Sequence, residues 1–164
     1  MRLVQHRSIL RRVRIVTASG LLAGVVGCAS PSAPTPETAD GLASDLAYCV
    51  NQLNQYRASI GRPALAESVA LEAFAAEAAA HDGALHVAHD LFATTNGRNT
   101  AAAETEILWW KDAAVRTVIR DGLAQMWKVG PGGEHYDIIS GPYASVGCGV
   151  FVNGSEVTVT QDFR

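Results

Sequence analysis

Four histidines, at 81, 86, 89 and 135, and two glutamates, at 104 and 106, are the residues of this 164-residue chain best suited to chemistry. His86 and His89 stand three apart, a spacing that on a helix puts both on one face. His135 follows Gly132-Gly133-Glu134, in a loop that allows close backbone approach, and Glu104 and Glu106 lie in an otherwise apolar run ending at Trp109-Trp110. Convergence of His89, His135 and one of these carboxylates would suit divalent-metal binding or acid–base catalysis. Imidazole suits Zn²⁺, and an open fourth position would admit water. A blander reading keeps His81 and His86 at the end of a helix, and Trp109, Trp110 and Trp127 in the core or a groove wall. No GxSxG, HExxH, GxGxxG or P-loop motif occurs, and no serine stands in a nucleophile context.

The elements that must position these residues read as helices first and a hairpin last. Leu46, Cys49, Val50, Leu53, Tyr56 and Ile60 fall at helical spacing over Asp45–Ile60, with Ser44 as N-cap, Gly61 after the end and Pro63 as a stop. A second, alanine-rich helix is expected to start near Ser68 and to end at Gly83. The segment 86–92 is ambiguous, 94–100 (TTNGRNT) reads as a loop, and 101–110 reads as helical or irregular. Val115, Val118, Ile119, Gly122, Leu123 and Met126 form a helical stripe that Val129-Gly130-Pro131 stops. The period then changes: 146–152 and 156–163 flank Asn153-Gly154, a strong hairpin signal. The class expected is α+β, as an α/β/α layered domain.

The chain's charge is uneven. Five of its 13 basic residues (Arg2, Arg7, Arg11, Arg12 and Arg14) fall in the first 14 positions, where there are no acids. From residue 28 onward 8 basic residues face 16 acidic ones, a sign that excludes nucleic acid as a partner. The basic start and the apolar stretch 15–27 make an export signal over 1–27. Its end, Val25-Val26-Gly27-Cys28, resembles a bacterial lipobox, which implies a diacylated Cys28 at the mature N-terminus. Such a chain would be anchored in the cell envelope, at the outer membrane if the host is Gram-negative. Residues 28–44, rich in Pro, Ser and Ala, read as a flexible tether, which leaves 45–164 as the domain. In an exported protein the remaining Cys49 and Cys148 are expected to pair, the alternative being two buried thiols.

Several segments, taken in order, resemble the CAP superfamily, the domain of cysteine-rich secretory, antigen 5 and pathogenesis-related proteins. They are Val50 to Arg57 with Gly61-Arg62-Pro63-Ala64-Leu65; Ala103-Glu104-Thr105; Gln125-Met126-Trp127; Gly130-Pro131-Gly132-Gly133-Glu134-His135-Tyr136; Val146-Gly147-Cys148-Gly149-Val150; and the last strand, Val159 to Phe163. The resemblance implies an α/β/α sandwich with a cleft lined by two His and two Glu that can hold a divalent cation. On this sequence it maps His135, then His89 with His86 as competitor, then Glu104 or Glu106. The second Glu position is Val129 here, and Glu134 is the substitute. The implied function is an exported, membrane-anchored monomer binding a small hydrophobic, lipid- or sterol-like ligand or a surface partner. The alternative is a Zn-dependent hydrolase of peptide or cell-wall material, weakened by the carboxylate missing at 129.

Overall fold

The computed structural model describes residues 39–164; the expected export signal (1–27) and the expected lipidation site, Cys28, lie outside the described residues. The first helix, α1 (Ala39–Ser59), starts six residues before Asp45, so the last part of the expected tether is helical. Ala39, Leu42 and Ala43 are good helix formers, and Asp40 in the first turn suits the positive end of the helix dipole. Ser44 is consequently not a cap but lies inside the helix, where its hydroxyl accepts from Arg116 Nη2 at 2.8 Å. Next come a two-residue strand β1 (Ala66–Glu67) and helix α2 (Val69–Leu85), whose N-cap Ser68 accepts from Leu71 N as expected. Gly83 does not end α2. It lies within the last turns because a Cβ there would meet Phe151 Cδ1 at 2.8 Å and Thr158 Oγ1 at 2.9 Å.

A short helix α3 (Asp90–Thr95) and a 3₁₀ turn (Asn96–Asn99) replace the expected loop. The run expected to be helical or irregular is strand β2 (Ala103–Lys111). Helix α4 (Val115–Lys128) matches its stripe, and the short helix α5 (Glu134–Ile139) follows it. The hairpin is β3 (Ser145–Asn153) and β4 (Glu156–Phe163). Because Asn153 pairs with Glu156, the turn residues are Gly154 and Ser155, one step later than the sequence signal. The sheet order is β1-β3-β4-β2, with β1 parallel to β3 and the other pairs antiparallel. The architecture is α+β, helices first and strands last. No described helix is long and apolar enough to cross a membrane.

Strand alternation divides the two faces of this sheet. Ile107, Val146, Cys148, Val157, Val159 and Phe163 join Leu53, Val118, Ile119 and Leu123 in the larger core, on the side of α1, α4 and α5. The other face meets α2. There Gly147 and Gly149 let the helix lie directly on β3, since a Cβ on either would stand 2.0–2.1 Å from the main chain of Glu72 or Ala75. A smaller core of Leu71, Phe74, Ala78, Leu91 and Ala101 completes this side.

The predicted disulfide is present: Cys49 of α1 is bonded to Cys148 of β3, 99 positions away. Closing a loop of that size restricts the unfolded chain and contributes about 4–5 kcal/mol in the chain-entropy model. Reduction, or replacement of both cysteines by alanine, is expected to lower the stability by up to that amount. Urea unfolding with and without reductant measures it; a loss below about 1 kcal/mol would contradict the estimate.

Candidate functional site

The face of the sheet opposite the larger core carries carboxylates. Glu104 and Glu106 alternate with Thr105 and Ile107 on β2, and in the β4 register they stand opposite Asp162 and Thr160. Above them the chain leaves α2 through two residues in left-handed conformation, His86 (φ 55°) and His89 (φ 56°). Asp82, buried on α2, holds this corner by accepting from Leu91 N through Oδ1 at 3.0 Å.

The corner delivers His89 to both glutamates. His89 N donates to Glu106 Oε2 at 2.7 Å, and His89 Nδ1 lies 2.8 Å from Glu104 Oε1. Glu106 Oε1 accepts from Thr160 Oγ1 at 3.0 Å, so both Glu106 oxygens are engaged. The two carboxylates are buried, whereas the imidazole is 42% exposed. With Nδ1 committed to Glu104, Nε2 is the ring atom left to meet a ligand. Glu104 Oε2 has no hydrogen-bond partner.

Electrostatics follow from this burial. The hydrogen bond to Glu104 raises the His89 pKa above the usual imidazole range. Desolvation raises Glu104, and it pushes Glu106 up to about 7, with the charges of Glu104 and Asp82 adding to the effect. Asp162, whose two oxygens also lack partners, is pushed up to about 9, chiefly by burial. Three buried carboxyl groups (Asp82, Glu104 and Glu106) therefore bear on one half-exposed imidazole, and Asp162 bears on those three carboxylates in turn.

Of the residues singled out in the sequence, His89, Glu104 and Glu106 come together, with one donor atom from each lying within 4.8 Å of the others. Both glutamates take part, rather than one or the other. The mixed nitrogen and oxygen donors and the orphaned Glu104 oxygen fit a divalent cation. A second group of this kind is His81, Asp82 and Asp90, in which His81 Nε2 lies 2.8 Å from Asp90 Oδ2. The ambiguous segment 86–92 resolves into the α2–α3 connection and the start of α3, so His86 and His89 do not share a helix face. His86 turns to Glu156, 2.8 Å away, and stacks on Trp109. His135 and Glu134 open α5 and belong to neither donor group; Glu134 is exposed. Trp127 stacks on Tyr56 and meets the tilted ring of Tyr136.

Sequence reasoning did not single out Asp82, Thr160 or Asp162. For Asp162 and Thr160 a signal was present: they alternate with Val159 and Phe163 on a strand whose other face is core.

No family model and no curated protein matches the sequence. Solved structures do resemble the fold. An outer surface protein from Borrelia burgdorferi matches with a TM-score of 0.54 at 17% identity, over 74% of this chain and 92% of that one. A cysteine-rich secretory protein from Staphylococcus aureus matches with a TM-score of 0.50 at 11% identity, over 74% of this chain and 39% of that one. At these identities the likeness concerns the fold alone: an α+β architecture shared with a cysteine-rich secretory protein and an outer surface protein.

Proposed function

We propose that this is an exported protein, anchored in the cell envelope through a lipidated Cys28, that binds a small lipid-like ligand at the His89 site. The observation that carries this reading is the half-exposed imidazole whose Nδ1 is held by buried Glu104. The hydrogen bond to Glu104 raises the His89 pKa and so favours the imidazolium, whose Nε2–H donor is suited to the acidic headgroup of an amphiphile. The lipobox-like Val25-Val26-Gly27-Cys28, the disulfide and the likeness to a secretory and an outer surface protein support export.

Lipid extraction of the purified protein, followed by mass spectrometry and titration with a fluorescent fatty acid, tests the reading. Binding is expected to weaken about tenfold in His89→Ala, the equivalent of one charge-assisted hydrogen bond. Wild-type binding should also decline as the pH rises through the histidine pKa, because the imidazolium is lost. An apo protein that takes up no fatty acid, or one whose binding is unchanged in His89→Ala, would refute the proposal. For the anchor, Cys28→Ser is expected to move the protein from the membrane to the soluble fraction; retention would contradict it.

A second reading has its own support in the three donors within 4.8 Å. In this reading His89 and a glutamate hold Zn²⁺, and the ion's chemistry would be to lower the pKa of a bound water in a hydrolase. Protons compete with zinc for imidazole, so zinc affinity should rise with pH, opposite to the trend for an acidic lipid. Calorimetric zinc titration of wild type and His89→Ala separates the two, and equal heats from both proteins would remove the metal reading.

A further inference from the structure

Strand β3 has an open edge along most of its length. Ser145 and Arg164 exchange both main-chain hydrogen bonds, at 2.8 and 3.0 Å. In an antiparallel pair such residues recur at every second position. Gly147, Gly149, Phe151 and Asn153 therefore turn their N–H and C=O groups toward β4, and Val146, Cys148, Val150 and Val152 turn theirs away. On that far side β1 engages Val146, whose carbonyl accepts from Ser68 N at 3.0 Å, and then β1 ends at Glu67. Among the described residues no strand lies beside Cys148, Val150 or Val152.

A groove of about 420 Å³ opens at this edge, away from His89. Val146 and Cys148 form its floor, Leu42 and Leu46 of α1 an apolar wall, and Glu67 and Glu72 an acidic one; no basic residue lines it. Cys148 is 1% exposed, so its main-chain groups, which have no strand partner on this side, are already largely desolvated and favour a partner that can hydrogen-bond to them. Desolvated donors and acceptors in a row, flanked by side-chain pockets, are what an added strand uses.

We propose that this edge captures an extended, basic peptide segment of a partner protein by strand addition. The main-chain row calls for a polypeptide rather than an acyl chain, and the two glutamates call for Lys or Arg in it. A second copy of the chain fits less well, because two-fold pairing of β3 edges would bring Glu67 and Glu72 of both copies into one interface.

The probe is a fluorescent, amidated pentapeptide alternating lysine and valine, titrated into the folded chain and followed by anisotropy and by hydrogen exchange. The expected result is saturable binding that slows exchange at the amides of Cys148, Val150 and Val152. Affinity should fall about tenfold, equivalent to 1.4 kcal/mol, when Glu67→Gln and Glu72→Gln are combined. Both positions are exposed, so the variant keeps its fold. A backbone N-methylated peptide should bind no better than background. Equal binding of a glutamate–valine peptide would overturn the proposal. So would free-state protection of the three amides equal to that of Gly147 and Gly149, which would mean that the chain covers its own edge. Protection that rises with protein concentration alone would instead assign the edge to a second copy.

Discussion

Replacing Asp162 with asparagine is expected to stabilise the protein, and by more as the pH rises. Asp162 is fully buried, its oxygens have no partner, and Glu104 stands opposite it with an orphaned oxygen of its own. Burial first, then the neighbouring carboxylates, push its pKa up to about 9, against about 3.9 in an unfolded chain. Between those values the folded protein holds a proton that the unfolded chain has released. Stability therefore declines as the pH climbs, by up to about 1.4 kcal/mol per pH unit for this group. The decline starts near the unfolded value and ends near the folded one. Glu106, pushed up to about 7, steepens its lower part. Asparagine cannot ionise, and its amide is suited to donate to Glu104 Oε2. Over the roughly four units between pH 4 and pH 8 that slope amounts to at most about 5 kcal/mol, so the gain should be several kcal/mol at pH 8 and small at pH 4. Urea unfolding of both proteins across this range measures it; parallel pH profiles would show that Asp162 is not the proton holder.

Removing Arg57 should have the opposite effect and a comparable size. Its side chain is 1% exposed and faces main-chain carbonyls: Nε donates to Pro63 O at 2.9 Å and Nη1 to Ile139 O and Gly141 O at 2.8 and 2.9 Å. Nη2 reaches Tyr143 O at 3.3 Å. One guanidinium thus ties the end of α1 to the segment joining α5 to β3. Arg57→Met keeps most of the volume but leaves these carbonyls without their donor, at an expected cost of about 3–5 kcal/mol. Arg57→Lys should recover only part of this, because a single ammonium cannot span the fork. Denaturant midpoints test both variants; a methionine protein within about 1 kcal/mol of wild type would refute the clamp.

The sequence made the helical frame legible where periodicity and caps agreed, as at Ser68 and along the stripe of α4. It misled at 101–110. There three alanines favour a helix, and Glu104 to Ile107 are all buried, so the alternation of β2 does not show as polar against apolar. The site hides for the same reason. No motif in the sequence marks Asp82 or Asp162, and only the pairing of β2 with β4 under α2 reveals that they are buried close to Glu104 and Glu106. Gly83 read as a helix stop because a sequence does not distinguish a terminating glycine from one that admits Phe151 and Thr158. His89 was singled out from the start, but its role depends on a left-handed corner that its spacing from His86 does not predict.

The bond between Cys49 and Cys148 also has a mechanical consequence. A pull arriving from the N-terminal side can peel α1 only as far as Cys49, where the load passes through the sulfurs into β3. The chain between the two cysteines, with His89, Glu104 and Glu106 in it, then carries no tension. A domain tethered at that end would keep its site intact under forces that strip away the helix leading into it.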